Sequence, residues 1–219
     1  MNSFEKLLSI GMDNYGILTS GDAKSVGLSD RVVFSHVKNG KLLRMGQGIF
    51  KLAAFSSSDD MDRYAVAVSF GGNGAMIYGE SVLAMLNLAF ANPPLIEVAT
   101  PRRVRRKLPP WVKIIRIGTG AAMTEYYRGI PCQPLRDAMR ICQDRILPER
   151  ILAAIELAKT EGWLSSDDGE NLKNEIRNGV PPSLRLSQDA DMAADTEIQH
   201  RLGRTLRRSK GGINRLAVR

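Results

Sequence analysis

The sequence predicts an α+β protein: an amino-terminal winged helix-turn-helix, then a mixed α+β domain, then a basic carboxyl-terminal tail with helical spacing. Three observations predict it. Short helical periods in residues 1–40 run into a glycine-centred hairpin pattern. Strand-like stretches precede helical ones across residues 61–178. Beyond residue 179 a narrow apolar stripe ends in a run of cations. The expected divisions are 1–55, 59–178 and 179–219, with the polar stretch 56–60, Ser-Ser-Ser-Asp-Asp, as a hinge.

Each element of the first part has a local cause. Phe4, Leu7, Leu8 and Met12 follow helical spacing, so residues 3–14 read as an amphipathic helix that Gly16 stops. Thr19 or Ser20 caps a second helix through Val26, and Gly27 supplies the turn. Ser29 caps a third, with Val33 and Val37 inward, Arg31, Ser35, Lys38 and Asn39 outward, and Gly40 at its carboxyl-terminal cap. His36, beside Val37, is placed either toward a base or over the helix edge. Residues 41–45 and 49–52 flank Gly46-Gln47-Gly48 as the hairpin that forms the wing.

Such a helix fits the major groove, where short polar and basic side chains reach base edges. Ser29, Arg31, Ser35 and Asn39 suit the bases or the helix start; Lys38, Lys41, Arg44 and Gln47 suit phosphates. Double-stranded DNA is therefore the expected partner, against the alternative of a winged helix used for protein contact.

In the second part, Met61, Tyr64 or Ala65 and Val68 give a helix broken at Gly71-Gly-Asn-Gly74. A short strand at 75–78 precedes a helix over 80–89 that carries Leu83, Leu86 and Phe90 on one side, closed by Pro93-Pro94. Residues 95–100 and 112–117 alternate as strands, and 126–132 forms a third. Helical periods follow at Leu135, Ala138, Met139 and Cys142, at Ile151, Ala154, Ile155 and Ala158, and at Leu172 and Ile176 after the cap at 165–168.

The order Gly16-Ile-Leu-Thr-Ser20, Ala23, Gly27-Leu-Ser29, Val33, Val37, Gly40-Lys-Leu-Leu-Arg44 and Gly48-Ile-Phe-Lys-Leu52 resembles the winged helix of the AbiEi antitoxins of type IV toxin–antitoxin systems. Tyr78-Gly-Glu-Ser81, Ile96-Glu-Val-Ala-Thr-Pro101, Gly129-Ile-Pro131, Leu135-Arg136-Asp137 and Gly162-Trp163-Leu164-Ser165 extend the resemblance to about Arg177. Phe34 and Asn39 stand where that family more often has basic or small polar residues. The resemblance implies an antitoxin that represses its own promoter at repeated sites. It also implies that the second part counters a cognate nucleotidyltransferase toxin without a stable complex.

The net charge of +8 points to a polyanionic partner, and its distribution is uneven. Arg102, Arg103, Arg105, Arg106 and Lys107 lie without an acid between prolines, an exposed loop by composition. DNA phosphate or an acidic protein face would neutralise it, or it is simply solvated; Trp111 at its exit is expected in the core. The tail after Pro181-Pro182 sets Ala194, Ile198, Leu202 and Leu206 at spacing four with arginines behind them, a docking helix.

No catalytic constellation emerges. Gly71–Gly74 lacks the Lys-Ser/Thr of a phosphate loop, and His36 and His200 stand far from Ser81, Glu80 and Asp137. Asp167, Asp168 and Glu170 read as an acidic helix start, and Cys132 and Cys142 as two half-buried thiols. Neither enzyme activity nor a cofactor or metal is expected. No apolar run approaches the roughly 18 residues of a membrane span and no leader pattern is seen, so a cytoplasmic location without a membrane partner is expected. The competing functions are a plain winged-helix regulator whose second part senses a ligand or dimerises, and a nucleic-acid enzyme that uses the helix for targeting.

Overall fold

Asn2 opens the chain's first helix by a reciprocal cap: its side chain accepts from the Glu5 amide at 2.8 Å, and the Glu5 carboxylate accepts from the Asn2 amide at 2.8 Å. The computed structural model describes residues 2–55, 60–118 and 123–178. Part of the expected hinge and the whole expected tail helix therefore lie outside the described residues.

Helix α1 spans Ser3–Gly11. It ends before the expected Asn14, which leaves Met12 59% exposed, not inward. A three-residue strand unforeseen in the sequence, β1 (Ile17–Thr19), comes next. Thr19 then caps α2 (Ser20–Ser25) in a second capping box with Asp22. Ser29 stands at the N-cap of α3 (Asp30–Lys38) but makes no side-chain capping bond. The hairpin is β2 (Leu42–Gly46) and β3 (Ile49–Leu52), with Gly48 at φ 70° in the turn. The three strands form an antiparallel sheet in the order β1-β3-β2.

Every residue of β3 is buried, because both faces of this small sheet are covered. Leu18, Phe50 and Leu52 face Leu7, Ala23, Val33 and Leu42 in one core. Ile17 and Ile49 point the other way, into a larger core that contains Tyr64, Val66 and Phe70 of α4 (Met61–Gly71). Pleat alternation explains the split. Helix α4 packs on β1 and β3 from one side and on strands of the second sheet from the other. It is accordingly apolar nearly all round, which its expected single inward stripe does not convey. Residues 1–176 form one unit.

The second sheet follows: β4 (Met76–Ile77), β5 (Ile96–Thr100), β6 (Val112–Arg116), β7 (Glu125–Tyr127) and β8 (Ile130–Cys132), in the order β6-β5-β4-β8-β7. Strands β5 and β6 are parallel neighbours. The single strand expected over 126–132 is instead the hairpin β7–β8, turned by Arg128 and Gly129 at φ 51° and 78°. Helix α5 (Glu80–Met85) stops short of the expected Ala89. Asn87, Ala89 and Phe90 adopt left-handed φ of 55°, 57° and 49°, and Phe90 stands 87% exposed, off the apolar face assigned to it. Helices α6 (Leu135–Ile141), α7 (Pro148–Thr160) and α8 (Ser166–Asn178) complete the order. No helix among the described residues is long and apolar enough to cross a membrane.

Candidate nucleic-acid interface

Helical spacing sets Arg31, Ser35, Lys38 and Asn39 on the side of α3 opposite buried Val33. All four are exposed, and none forms a side-chain hydrogen bond or ion pair within the described residues. Ser29 is exposed at the start of the same helix. Phe34 shares the stripe and is 47% exposed. Its ring meets Phe50 edge-on at 6.0 Å, and the Arg44 guanidinium lies 5.7 Å from its centroid. An apolar ring among polar side chains suits a thymine methyl as well as it suits the hairpin base. Its position on the outward period is a signal that composition alone passes over.

His36 faces the other way. Its Nε2 is 2.9 Å from the Ser3 Oγ, and its ring packs 5.6 Å from that of Phe4, so it ties α3 to α1 and leaves the reading stripe. Burial holds this imidazole below the usual histidine range, and the charge of Lys41 adds to the effect. Protonation therefore favours the unfolded chain. The stabilisation is full above about pH 6.5, the ordinary value, and is lost as pH falls through the lowered one. Thermal melts should show stability declining as pH falls below the ordinary histidine value of about 6.5, and His36→Gln should flatten that decline. An equal slope in the variant would assign the dependence elsewhere.

The hairpin stands beside α3. Lys41 and Arg44 are exposed, with the Lys41 ammonium 4.9 Å from the Phe4 ring. Gly46 sits against α4: a Cβ there would meet the Phe70 ring at 2.5 Å, so only glycine allows this approach. Gln47, at the tip, accepts through Oε1 from the Lys107 amide at 3.2 Å. The structure thus joins two groups of residues that stand separate in the sequence, the hairpin and the basic loop 101–110. Within that loop Arg102, Arg103, Arg105 and Lys107 are exposed, whereas Arg106 is half-buried with its Nη1 unpartnered.

Several polar groups of the second part are committed to the fold. The Ser81 hydroxyl accepts from the Glu97 amide at 2.8 Å, and the buried Glu97 carboxylate is held by Lys113 at 2.9 Å and Arg145 at 3.2 Å. Arg136 and Arg140 of α6 both bond Glu175 of α8. Asp168 takes part in capping α8 with Ser165 and reaches Arg136. Cys132 and Cys142 are buried and their thiols are pushed up to about 12, which leaves them protonated and unreactive at neutral pH. Among the described residues no three His, Cys, Asp or Glu side chains gather as metal ligands.

No family model matches the chain, and no curated protein does. Among solved structures it is similar to the RV2827C protein from Mycobacterium tuberculosis, at 14% identity and a TM-score of 0.42, over 80% of this chain and 77% of that one. A likeness of that degree carries no functional inference.

Proposed function

We propose that the protein is a sequence-specific DNA-binding antitoxin of the AbiEi kind. Residues 1–55 act as a winged helix that represses the protein's own toxin–antitoxin promoter. The second part opposes a cognate nucleotidyltransferase toxin without a stable complex and without catalysis of its own, in the cytoplasm. The observation that carries the DNA half is the uncommitted stripe of α3. Arg31, Ser35, Lys38 and Asn39 are exposed and, among the described residues, unpaired, beside an exposed hairpin bearing Lys41 and Arg44. Polar side chains that the fold does not use are free for base edges and phosphates. The antitoxic half rests on the sequence resemblance alone.

The test pairs two measurements on the full chain. Nuclease footprinting and competition titration on the duplex upstream of its own reading frame should show protected repeats and preference over random duplex. Co-expression should restore growth to cells that express a nucleotidyltransferase encoded beside it. Binding without rescue would favour the plain regulator.

A further inference from the structure

We infer that loop 101–110 is a fixed second arm of the DNA interface, carrying Arg102, Arg103, Arg105 and Lys107 to duplex phosphates beyond the base pairs that α3 reads, and that Gln47 is the residue that positions it. This inference rests on the DNA-binding reading above. It concerns where the duplex is gripped, not whether it is bound.

Topology makes the loop a strut. Strands β5 and β6 are parallel and in register from Ile96 with Val112 to Thr100 with Arg116, so the chain leaving Thr100 must return along the full strand length to enter Val112. That span is roughly 13 Å at 3.3 Å per residue, and such crossovers usually contain a helix. This one contains none: residues 101–111 form neither helix nor strand. Instead the connection is pinned along its length. The Arg102 amide donates to the Thr100 Oγ1 at 3.3 Å, and the Val112 amide donates to the Pro109 carbonyl at 3.1 Å. Between these ends the Lys107 amide donates to Gln47.

The last bond decides the assignment. Its donor is backbone, so the Lys107 side chain stays exposed. Its acceptor sits on the hairpin, whose Gly46 is itself seated on Phe70. Hairpin and loop are thereby joined, and their cations stand on neighbouring elements. Arg102, Arg103, Arg105 and Lys107 have no ion-pair partner among the described residues, and that much unneutralised like charge attracts anions. An acidic protein face would satisfy the same charges. Fastening the loop to the element that flanks the reading helix favours the phosphate backbone of the same duplex.

The test uses the full chain on the upstream duplex, either trimmed to the α3-dependent footprint or extended by about one helical turn of 10 base pairs on each side. Replacing Arg102, Arg103, Arg105 and Lys107 by glutamine should leave the melting transition and the preference over random duplex in place. On the extended duplex the slope of log affinity against log salt should shrink by about 0.9 for each phosphate no longer neutralised. On the trimmed duplex the variant and the parent should agree. Gln47 is uncharged, so a smaller salt slope in Gln47→Leu, together with faster hydrogen exchange at the Lys107 amide, reports positioning alone. If the parent shows no preference for the upstream duplex, the DNA-reading proposal fails and this inference with it. If preference stands but the slope is the same in parent and variants, the loop is not a DNA arm and only the inference is overturned. Unchanged slope with lost growth protection would overturn it in favour of a protein partner.

Discussion

Asp62→Ala is expected to destabilise the protein by about 3 kcal/mol, the usual cost of leaving one member of a buried ion pair alone. Lys51 on β3 and Asp62 on α4 form that pair, with only 7% and 15% of their side-chain surfaces exposed. Lys51 is buried because the outer face of β3, unlike that of a freely standing hairpin, is covered by α4. Its side chain is withdrawn between the sheet and the helix that also covers Ile17 and Ile49. Lys51→Met should cost less, since Asp62 is the more exposed partner and lies near the α4 amino terminus, where a carboxylate is favoured. The double variant Lys51→Met, Asp62→Leu should recover most of the loss, because apolar replacement of a whole buried pair is often neutral. Denaturant melts of these proteins, with Asp62→Leu alone added, would close the cycle of Lys51→Met and Asp62→Leu. A cost for Asp62→Ala below about 1 kcal/mol would class the pair with surface bridges.

The same pair shows why the two parts are harder to read together than apart. Signals for α1, α2, α3 and the hairpin are local: capping residues, glycines and a helical period within a few positions of where they act. Strand β1 has three residues and exists because it pairs with β3, roughly thirty positions away, which no local pattern announces. Residues 95–100 alternate in polarity and so suggest a half-exposed strand. β5 is instead buried throughout, its Glu97 offset by cations from β6 and from the segment after α6. The apolar spacing of Leu83, Leu86 and Phe90 reads as a continuing helix. The backbone leaves that helix at Leu86 through left-handed residues other than glycine, so the usual stop signal is missing. At the candidate site, the outward period of α3 is legible because exposure follows directly from it. The bond from Lys107 to Gln47 joins residues 60 positions apart and depends on the whole second sheet being in place.

Ser35→Ala with Asn39→Ala should weaken binding to the upstream duplex by about 30-fold or more while leaving binding to random duplex nearly unchanged. The figure takes the lower end of about 1 to 3 kcal/mol for each base-edge contact, at about 1.4 kcal/mol per tenfold. Both side chains lie on the exposed stripe of α3 and neither bonds among the described residues, so the change in stability should stay within about 0.5 kcal/mol. Weaker base reading would then not be confused with a damaged fold. Lys41→Gln with Lys38→Gln supplies the contrast. These exposed cations act on phosphates at any sequence, so affinity should fall on both duplexes alike and the salt slope should shrink by up to about 1.8, at about 0.9 for each phosphate. Phe34→Ala separates the two roles open to the ring on the same stripe: if it meets a thymine methyl, preference falls, and if it only supports Phe50 and Arg44, stability falls instead. Titrations at one fixed salt concentration on both duplexes decide the matter. Equal losses on the two for the Ser35 and Asn39 variant would remove those residues from base reading and leave α3 as a phosphate-binding helix.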